Sequence, residues 1–209
     1  MKNTLRFNVI STALFIGILS TSNASANAIP YSDAGNQNSD LYTFTATTTG
    51  EIDAYFYNES AGYTNTLTLL VNGVITPQSA LGVLNNHTSN MGDFVNLGFV
   101  NAGDVLTFQL NVTNTGETFY SDQSLIADGV NHAYSDSFFG DASHGIPSGT
   151  YVGFEDLNGG GDFDYNDETF VFTNVSSAVS PIPEPETYAM LLVGLGLLGF
   201  SARCRKKVV

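Results

Sequence analysis

Lysine and arginine are almost absent from this chain. All six lie near its ends, as Lys2 and Arg6 and as a cluster within residues 203–207. Of the 20 Asp and Glu, only Glu184 and Glu186 lie outside residues 27–182, which therefore carry 18 acidic side chains and a formal charge of −18. Nucleic-acid binding by this body is excluded, because neutralising phosphates requires Lys and Arg. Ion pairs with Lys or Arg inside it are excluded too, so bound cations are the expected means of relieving its self-repulsion.

Cysteine and tryptophan are also scarce. The one cysteine, Cys204, lies beyond the last apolar run, so residues 27–182 can form no disulfide, and the chain has no Trp. The same residues hold 12 Phe and 9 Tyr, which is enough for a hydrophobic core and argues against disorder. A segment of this length is about one domain. Its stability must come from packing, with a bound metal as the expected supplement.

Helical periodicity is absent between Asn27 and Ser180, where short β-prone runs alternate with turn residues. This pattern predicts one antiparallel β-sandwich over residues 27–178, jelly-roll-like or immunoglobulin-like. Asn72-Gly73 stands between two apolar runs and predicts a two-residue hairpin turn. We expect strands over residues 41–47, 51–57, 67–71, 74–76, 94–100, 105–112, 150–154 and 169–175.

The N-terminus predicts a secretory signal peptide over residues 1–26. Lys2 and Arg6 give the positive start, and residues 9–19 form an apolar run that is short for a membrane helix, which needs about 20 apolar residues. Small residues at alternate positions favour cleavage after Ala26, with cleavage after Ala28 as the alternative.

Residues 187–209 predict a transmembrane helix followed by a basic tail. The apolar run from Tyr188 to Ala202 covers roughly 22 Å as a helix, less than the ~30 Å hydrocarbon core, so it suits a transient anchor in the inner membrane. Positive residues stay on the cytoplasmic side, which places the preceding chain outside. Residues 179–186 contain three prolines and predict a linker. The basic residues are Arg203, Arg205, Lys206 and Lys207.

Pro183-Glu184-Pro185, followed by this apolar run and basic end, resembles the PEP-CTERM sorting tail of Gram-negative bacteria that make extracellular polysaccharide. The resemblance implies that a membrane protease, exosortase, processes the tail after signal peptidase has cut the N-terminus. It also implies an exported protein at the cell surface or in the extracellular matrix. A structural or adhesive role in biofilm, associated with exopolysaccharide and without enzymatic activity, follows from the same resemblance.

Residues 155–168 form a loop dense in oxygen ligands. Calcium prefers about six to eight oxygens from carboxylates, amides, carbonyls and water. Asp162, Asp164 and Asn166 alternate with Phe163 and Tyr165. In an extended segment, this alternation would place the oxygens on one side and the rings on the other. The run Gly159–Gly161 permits a tight turn, since glycine tolerates positive φ. The candidate calcium ligands are Glu155, Asp156, Asp162, Asp164, Asn166 and Asp167.

An EF-hand is excluded, because Asp167 replaces its turn glycine and Thr173 stands where its bidentate Glu belongs. The stretch instead resembles an uncharacterised domain family of secreted bacterial proteins, with G-F-E-D and G-G-G-D-x-D-Y-N-D before a final strand. That resemblance implies calcium binding by the six candidate residues. The alternative is a metal-free loop in which Asp and Asn side chains bond their own backbone.

The remaining candidates for chemistry are weaker. His87, His132 and His144 are scattered, so we expect them to be ordinary polar or surface residues. Glu155 and Asp156 are adjacent and would point to opposite faces of a strand, whereas a glycosidase needs two carboxyls converging about 5–9.5 Å apart. A secreted polysaccharide-active hydrolase built from more distant carboxylates is the alternative function.

Processing at both ends is directly testable. Mass spectrometry of mature protein from the producing bacterium should show a start at Asn27 or Ile29 and loss of residues 203–209. Surface material that retains the complete basic tail would contradict processing by exosortase.

Overall fold

The computed structural model describes residues 29–179, 192–195 and 197–198. The expected signal peptide, its cleavage sites, the Pro183–Pro185 motif and the basic cluster lie outside the described residues. Residues 192–195 and 197–198 are helical. Within the described part of the chain, no helix is both long enough and apolar enough to cross a membrane.

Residues 29–179 form eleven strands and one short 3₁₀ helix, Gln123–Leu125. The strands are β1 (Tyr42–Ala46), β2 (Gly50–Glu59), β3 (Asn65–Val71), β4 (Val74–Ile75), β5 (Phe94–Val100), β6 (Val105–Val112), β7 (Glu117–Tyr120), β8 (Ala133–Phe138), β9 (Gly149–Phe154), β10 (Glu168–Phe172) and β11 (Val175–Val179).

The strands make two antiparallel sheets. In the first sheet the order is β11-β1-β6-β3-β4, and β7 pairs with the second half of β6. In the second sheet the order is β5-β2-β10-β9-β8. The prediction of an all-β antiparallel sandwich is therefore confirmed. Strand β11 ends at Val179, one residue past the expected boundary of the domain.

The hydrophobic core lies between the sheets and is rich in phenylalanine. Phe108 of β6 stacks on Phe172 of β10 with ring centroids 3.8 Å apart, which joins the centres of the two sheets. Phe44 of β1 meets Phe108 edge-on at 5.2 Å. Strand pairing and the main core are complete within residues 42–179. Among the described residues, those outside 42–179 add no strand to either sheet, although Asn38 still contacts Tyr165.

A second apolar cluster covers the outer face of the second sheet. It explains why every residue of β10 is buried, although an antiparallel sheet often leaves one face in water. Ile29, which lies before β1 in the chain, also packs against this cluster. Its buried members are Tyr57, Phe138, Ile146, Tyr151 and Val171.

Most strands were predictable, but one predicted strand was too long. Residues 94–100 and 105–112 form the expected strands, and the Asn72-Gly73 turn has the positive φ values, 49° and 80°, of the predicted hairpin. The expected strand 169–175 instead breaks after Phe172. Asn174 has φ of +60°, and its side chain accepts hydrogen bonds from Thr47 Oγ1 at 2.7 Å and the Thr48 amide at 2.8 Å. The chain then crosses to the first sheet as β11.

Candidate metal centre

The acidic loop connects two neighbouring strands at one end of the second sheet. Phe154, at the end of β9, pairs directly with Glu168, at the start of β10. The Asp167 amide also donates to the Phe154 carbonyl at 3.1 Å. Residues 155–167 therefore leave and rejoin the sheet at one point, so that side chains from both ends of the loop can meet.

Three of the predicted ligands converge in this loop. Each of Glu155, Asp162 and Asp164 offers one carboxylate oxygen that lies within 4.8 Å of the other two. Oxygens that each lie ~2.4 Å from one calcium ion can be at most ~4.8 Å apart. Glu155 is fully buried and Asp162 is exposed, so this carboxylate cluster reaches from the interior to the surface.

The two oxygens of Glu155 have different surroundings. Oε1 accepts a hydrogen bond from the Tyr165 amide at 2.6 Å. Oε2 is buried and has no hydrogen-bond partner in the protein. A buried acceptor without a donor costs about 1–3 kcal/mol, and more when it is charged. Oε2 is therefore available to a ligand from outside the protein.

The glycine run makes room for this oxygen. Gly161 has φ of +57°, and a Cβ atom there would lie 2.8 Å from Glu155 Oε2. Gly160 has φ of +84°, and its Cβ would lie 2.1 Å from the Phe163 ring. The tight turn predicted for these glycines is confirmed, and a side chain at position 161 would fill the space beside the free oxygen.

The expectation of an extended segment around Asp164 is wrong. Phe163 and Tyr165 have φ of 54° and 55°, so the chain alternates in and out of the left-handed region. Tyr165 is nevertheless buried, and its hydroxyl donates to the Asn131 carbonyl and accepts from the Asn38 amide, both at 2.9 Å. This anchor holds the loop in a conformation that bulky side chains seldom adopt.

The structure places the other three predicted ligands differently. Asn166 is bonded to Asp164, through its backbone amide at 3.2 Å and through its side-chain amide. Asp167 Oδ2 accepts from the Asp156 amide at 2.9 Å. Asp156 Oδ2 accepts from Asn65 Nδ2 at 2.8 Å. Asn166 is thus hydrogen-bonded to a member of the carboxylate cluster, whereas Asp156 and Asp167 bond to groups outside that cluster.

His132, expected to be an ordinary polar or surface residue, is fully buried beneath the loop. Its ring stacks on Phe119 at 3.9 Å, and its Nε2 lies 3.1 Å from Asp128 Oδ2. The same Asp128 oxygen accepts from the Gly159 amide at 2.8 Å. His132 and Asp128 therefore position the glycine run. In the sequence, only their separation by four residues hinted that they make contact.

Burial and mutual repulsion raise the pKa values of the carboxyls at this end of the sandwich. Burial, followed by repulsion from Asp162 and Asp164, raises the pKa of Glu155 to about 7. Burial, followed by repulsion from Asp156, raises the pKa of Asp167 to about 8. The pKa of Asp164 is raised by burial and by Asp162. Because residues 27–182 have no Lys or Arg, only protons or bound cations can neutralise these groups.

Two family models match the chain. Residues 181–206 match the PEP-CTERM protein-sorting motif, and residues 74–174 match a domain of unknown function, DUF4114. No curated protein and no solved structure matches it.

The DUF4114 match includes the whole acidic loop and runs from β4 to β10, so it leaves out strands β1 to β3 and β11. Strand β2 pairs with both β5 and β10, so the second sheet needs residues from outside the matched range. The chain is thus similar at its C-terminus to the PEP-CTERM sorting motif of exosortase substrates and over most of its body to the uncharacterised DUF4114 domain.

Proposed function

We propose that the exported body is a non-enzymatic structural or adhesive protein of the extracellular polysaccharide matrix, stabilised by calcium at Glu155, Asp162 and Asp164. The observation that carries the calcium site is the buried Glu155 Oε2, which has no protein donor and lies in a group of three converging carboxylates. The sorting motif supports export and delivery through exosortase.

The donor set favours calcium over other metals. All three side chains supply hard carboxylate oxygens, and no His or Cys occurs among residues 155–168. Asn166 and backbone carbonyls lie close enough in sequence to complete the coordination. A metal-free Asx-turn loop accounts for the bonds of Asp164 with Asn166 and of Asp167 with Asp156, but it leaves Glu155 Oε2 without a partner.

The ends of the chain complete the proposal. Residues 1–26 direct export and are removed by signal peptidase. Residues 187–209 then hold the protein transiently in the inner membrane as a short helix with a basic cytoplasmic end, until exosortase acts near Pro183–Pro185. The marginal length of the apolar run supports a temporary anchor, since a short helix spans only by snorkelling and local thinning.

A cavity beside the acidic loop supports association with polysaccharide. It has a volume of about 280 Å³, and its lining includes Tyr31, Tyr57 and Tyr151 together with Asp164 and Asn166. Apolar rings with a few fixed polar groups are typical of small-ligand sites. Hydrolysis is less well supported. A glycosidase needs two carboxyls that flank a bound sugar, whereas Glu155 of this group is fully buried.

Calcium should stabilise the folded body specifically. A ligand that binds only the folded state adds about 2.7 kcal/mol at 100 times its dissociation constant. We therefore expect the melting temperature of residues 27–182 to rise by several degrees in millimolar calcium and to fall with chelator. Magnesium should act less, because it requires a tighter octahedron and keeps its water. Calorimetry at constant ionic strength measures both.

Two charge-matched variants separate binding from screening. Asp162→Asn with Asp164→Asn should lose the calcium-specific gain. Asp33→Asn with Asp40→Asn, which removes two exposed carboxylates outside the loop, should keep it. Equal calcium responses of the two double variants would show that the loop is a metal-free turn.

The calcium effect should depend on pH with a definite sign. Without metal, the raised pKa of Glu155 means that the folded state holds a proton between the unfolded value, ~4.3, and about 7. This protonation stabilises the metal-free fold at low pH, and the contribution is lost as pH rises through 7. Calcium must displace the proton, so the calcium-induced rise in melting temperature should be larger at pH 8 than at pH 5.5. An equal rise at both pH values would contradict a site containing Glu155.

The matrix role is tested in producing cells. Immunogold labelling and fractionation should place the mature protein with the extracellular polysaccharide, and a strain that makes no polysaccharide should release it into the medium. Unchanged surface retention without polysaccharide would contradict this role but leave the calcium site standing.

A further inference from the structure

A second group of polar side chains is buried between the sheets at the same end of the sandwich. Asn65 begins β3 on the face that also carries the core residues Leu67 and Leu69. Glu168 begins β10 on the face that carries Phe170. Since alternate residues of a strand share a face, Asn65 and Glu168 both point into the interior from opposite sheets.

Their oxygens have no donors. Asn65 and Glu168 are both fully buried. Asn65 Oδ1 and both carboxylate oxygens of Glu168 have no hydrogen-bond partner in the protein. These three atoms and Glu155 Oε2 make up four of the five buried side-chain atoms without a partner in the described residues. The missing bonds are thus concentrated at this end of the fold.

Asp156 connects the two side chains. Its Oδ2 accepts from Asn65 Nδ2 at 2.8 Å, and it is 3% exposed. Its backbone amide donates to Oδ2 of Asp167, the residue directly before Glu168, at 2.9 Å, so Asp156 lies beside the start of β10. Burial, followed by repulsion from Asp156 and Glu59, raises the pKa of Glu168 well above its usual range. Glu59 is the direct partner of Glu168 across the β2–β10 pairing, so both side chains project from the same face.

One proton cannot satisfy this group. A proton on Glu168 would turn one of its oxygens into a donor and could serve one further acceptor. At least one of the three buried oxygens would remain without a partner. Calcium takes about six to eight oxygen ligands, so one ion can bind Asn65 Oδ1, both oxygens of Glu168 and Asp156. Its double charge offsets the charges of the Glu168 and Asp156 carboxylates.

We propose that a second calcium ion binds inside the sandwich to Glu168, Asp156 and Asn65. This inner site is separate from the group formed by Glu155, Asp162 and Asp164, which we call the outer site. The adjacent residues Glu155 and Asp156 belong to different sites. Glu155 lies with Asp162 and Asp164 in the outer site, whereas Asp156 is bonded to Asn65 in the inner site. The inner site rests on its own unpartnered oxygens and stands whether or not the outer site binds calcium.

Stoichiometry tests the proposal. The full chain, purified in mild detergent and stripped with chelator, is dialysed against calcium chloride, and bound metal is counted by mass spectrometry. We expect two ions per chain. Glu168→Gln keeps the shape but loses the charge and one oxygen, and should bind one ion. Asp162→Asn with Asp164→Asn should also bind one, and the combined variant should bind none.

Asn65→Asp provides a second test in case Glu168→Gln fails to fold. It keeps an oxygen at this position and adds a negative charge to the inner site, so calcium should raise its melting temperature more than that of the unmodified chain. If Glu168→Gln still binds two ions, the inner site is overturned. It is also overturned if the unmodified chain binds only one ion and the Asp162→Asn, Asp164→Asn variant binds none. An Asn65→Asp protein that gains no more from calcium than the unmodified chain would also overturn it.

Discussion

Three acidic side chains are buried at one end of this sandwich with no Lys or Arg to pair with. Glu155, Asp156 and Glu168 are at most 3% exposed, and residues 27–182 contain no Lys or Arg. Burying an ion costs several kcal/mol unless an opposite charge compensates it. The connection from β9 to β10 can therefore close over the core only if protons or metal ions neutralise these groups. We infer that calcium performs this role in an exported protein, where no disulfide is available to hold the loop.

The convergence of three of the six predicted ligands was predictable because these residues are close in sequence. Glu155, Asp162 and Asp164 lie within one short stretch, and its Gly run signals a turn. The inner site was not predictable, since Asn65 meets Asp156 across a separation of 91 residues. That contact joins the start of β3, in the first sheet, to the loop that follows β9, in the second sheet, and no local pattern encodes it. Asn65 also precedes the residues that match DUF4114.

The strand predictions show the same division between local and long-range information. Strands β5 and β6 were predictable because continuous β-prone runs end at clear turn residues. Strand β8, with the sequence Ala-Tyr-Ser-Asp-Ser-Phe, and β11, with Val-Ser-Ser-Ala-Val, were missed because small polar residues interrupt their apolar patterns. Both form because a neighbour in the sheet, β9 or β1, supplies their hydrogen-bond partners.

We propose that calcium ions take the place of the missing Lys and Arg side chains at the acidic end. Anomalous diffraction from crystals of residues 27–182, grown in calcium and measured at long wavelength, locates such ions without assumptions about their ligands. The account predicts one peak among the carboxylates of Glu155, Asp162 and Asp164 and another between Glu168 and Asn65. Crystals at saturating calcium that show an ordered acidic loop and no peak at either position would contradict it.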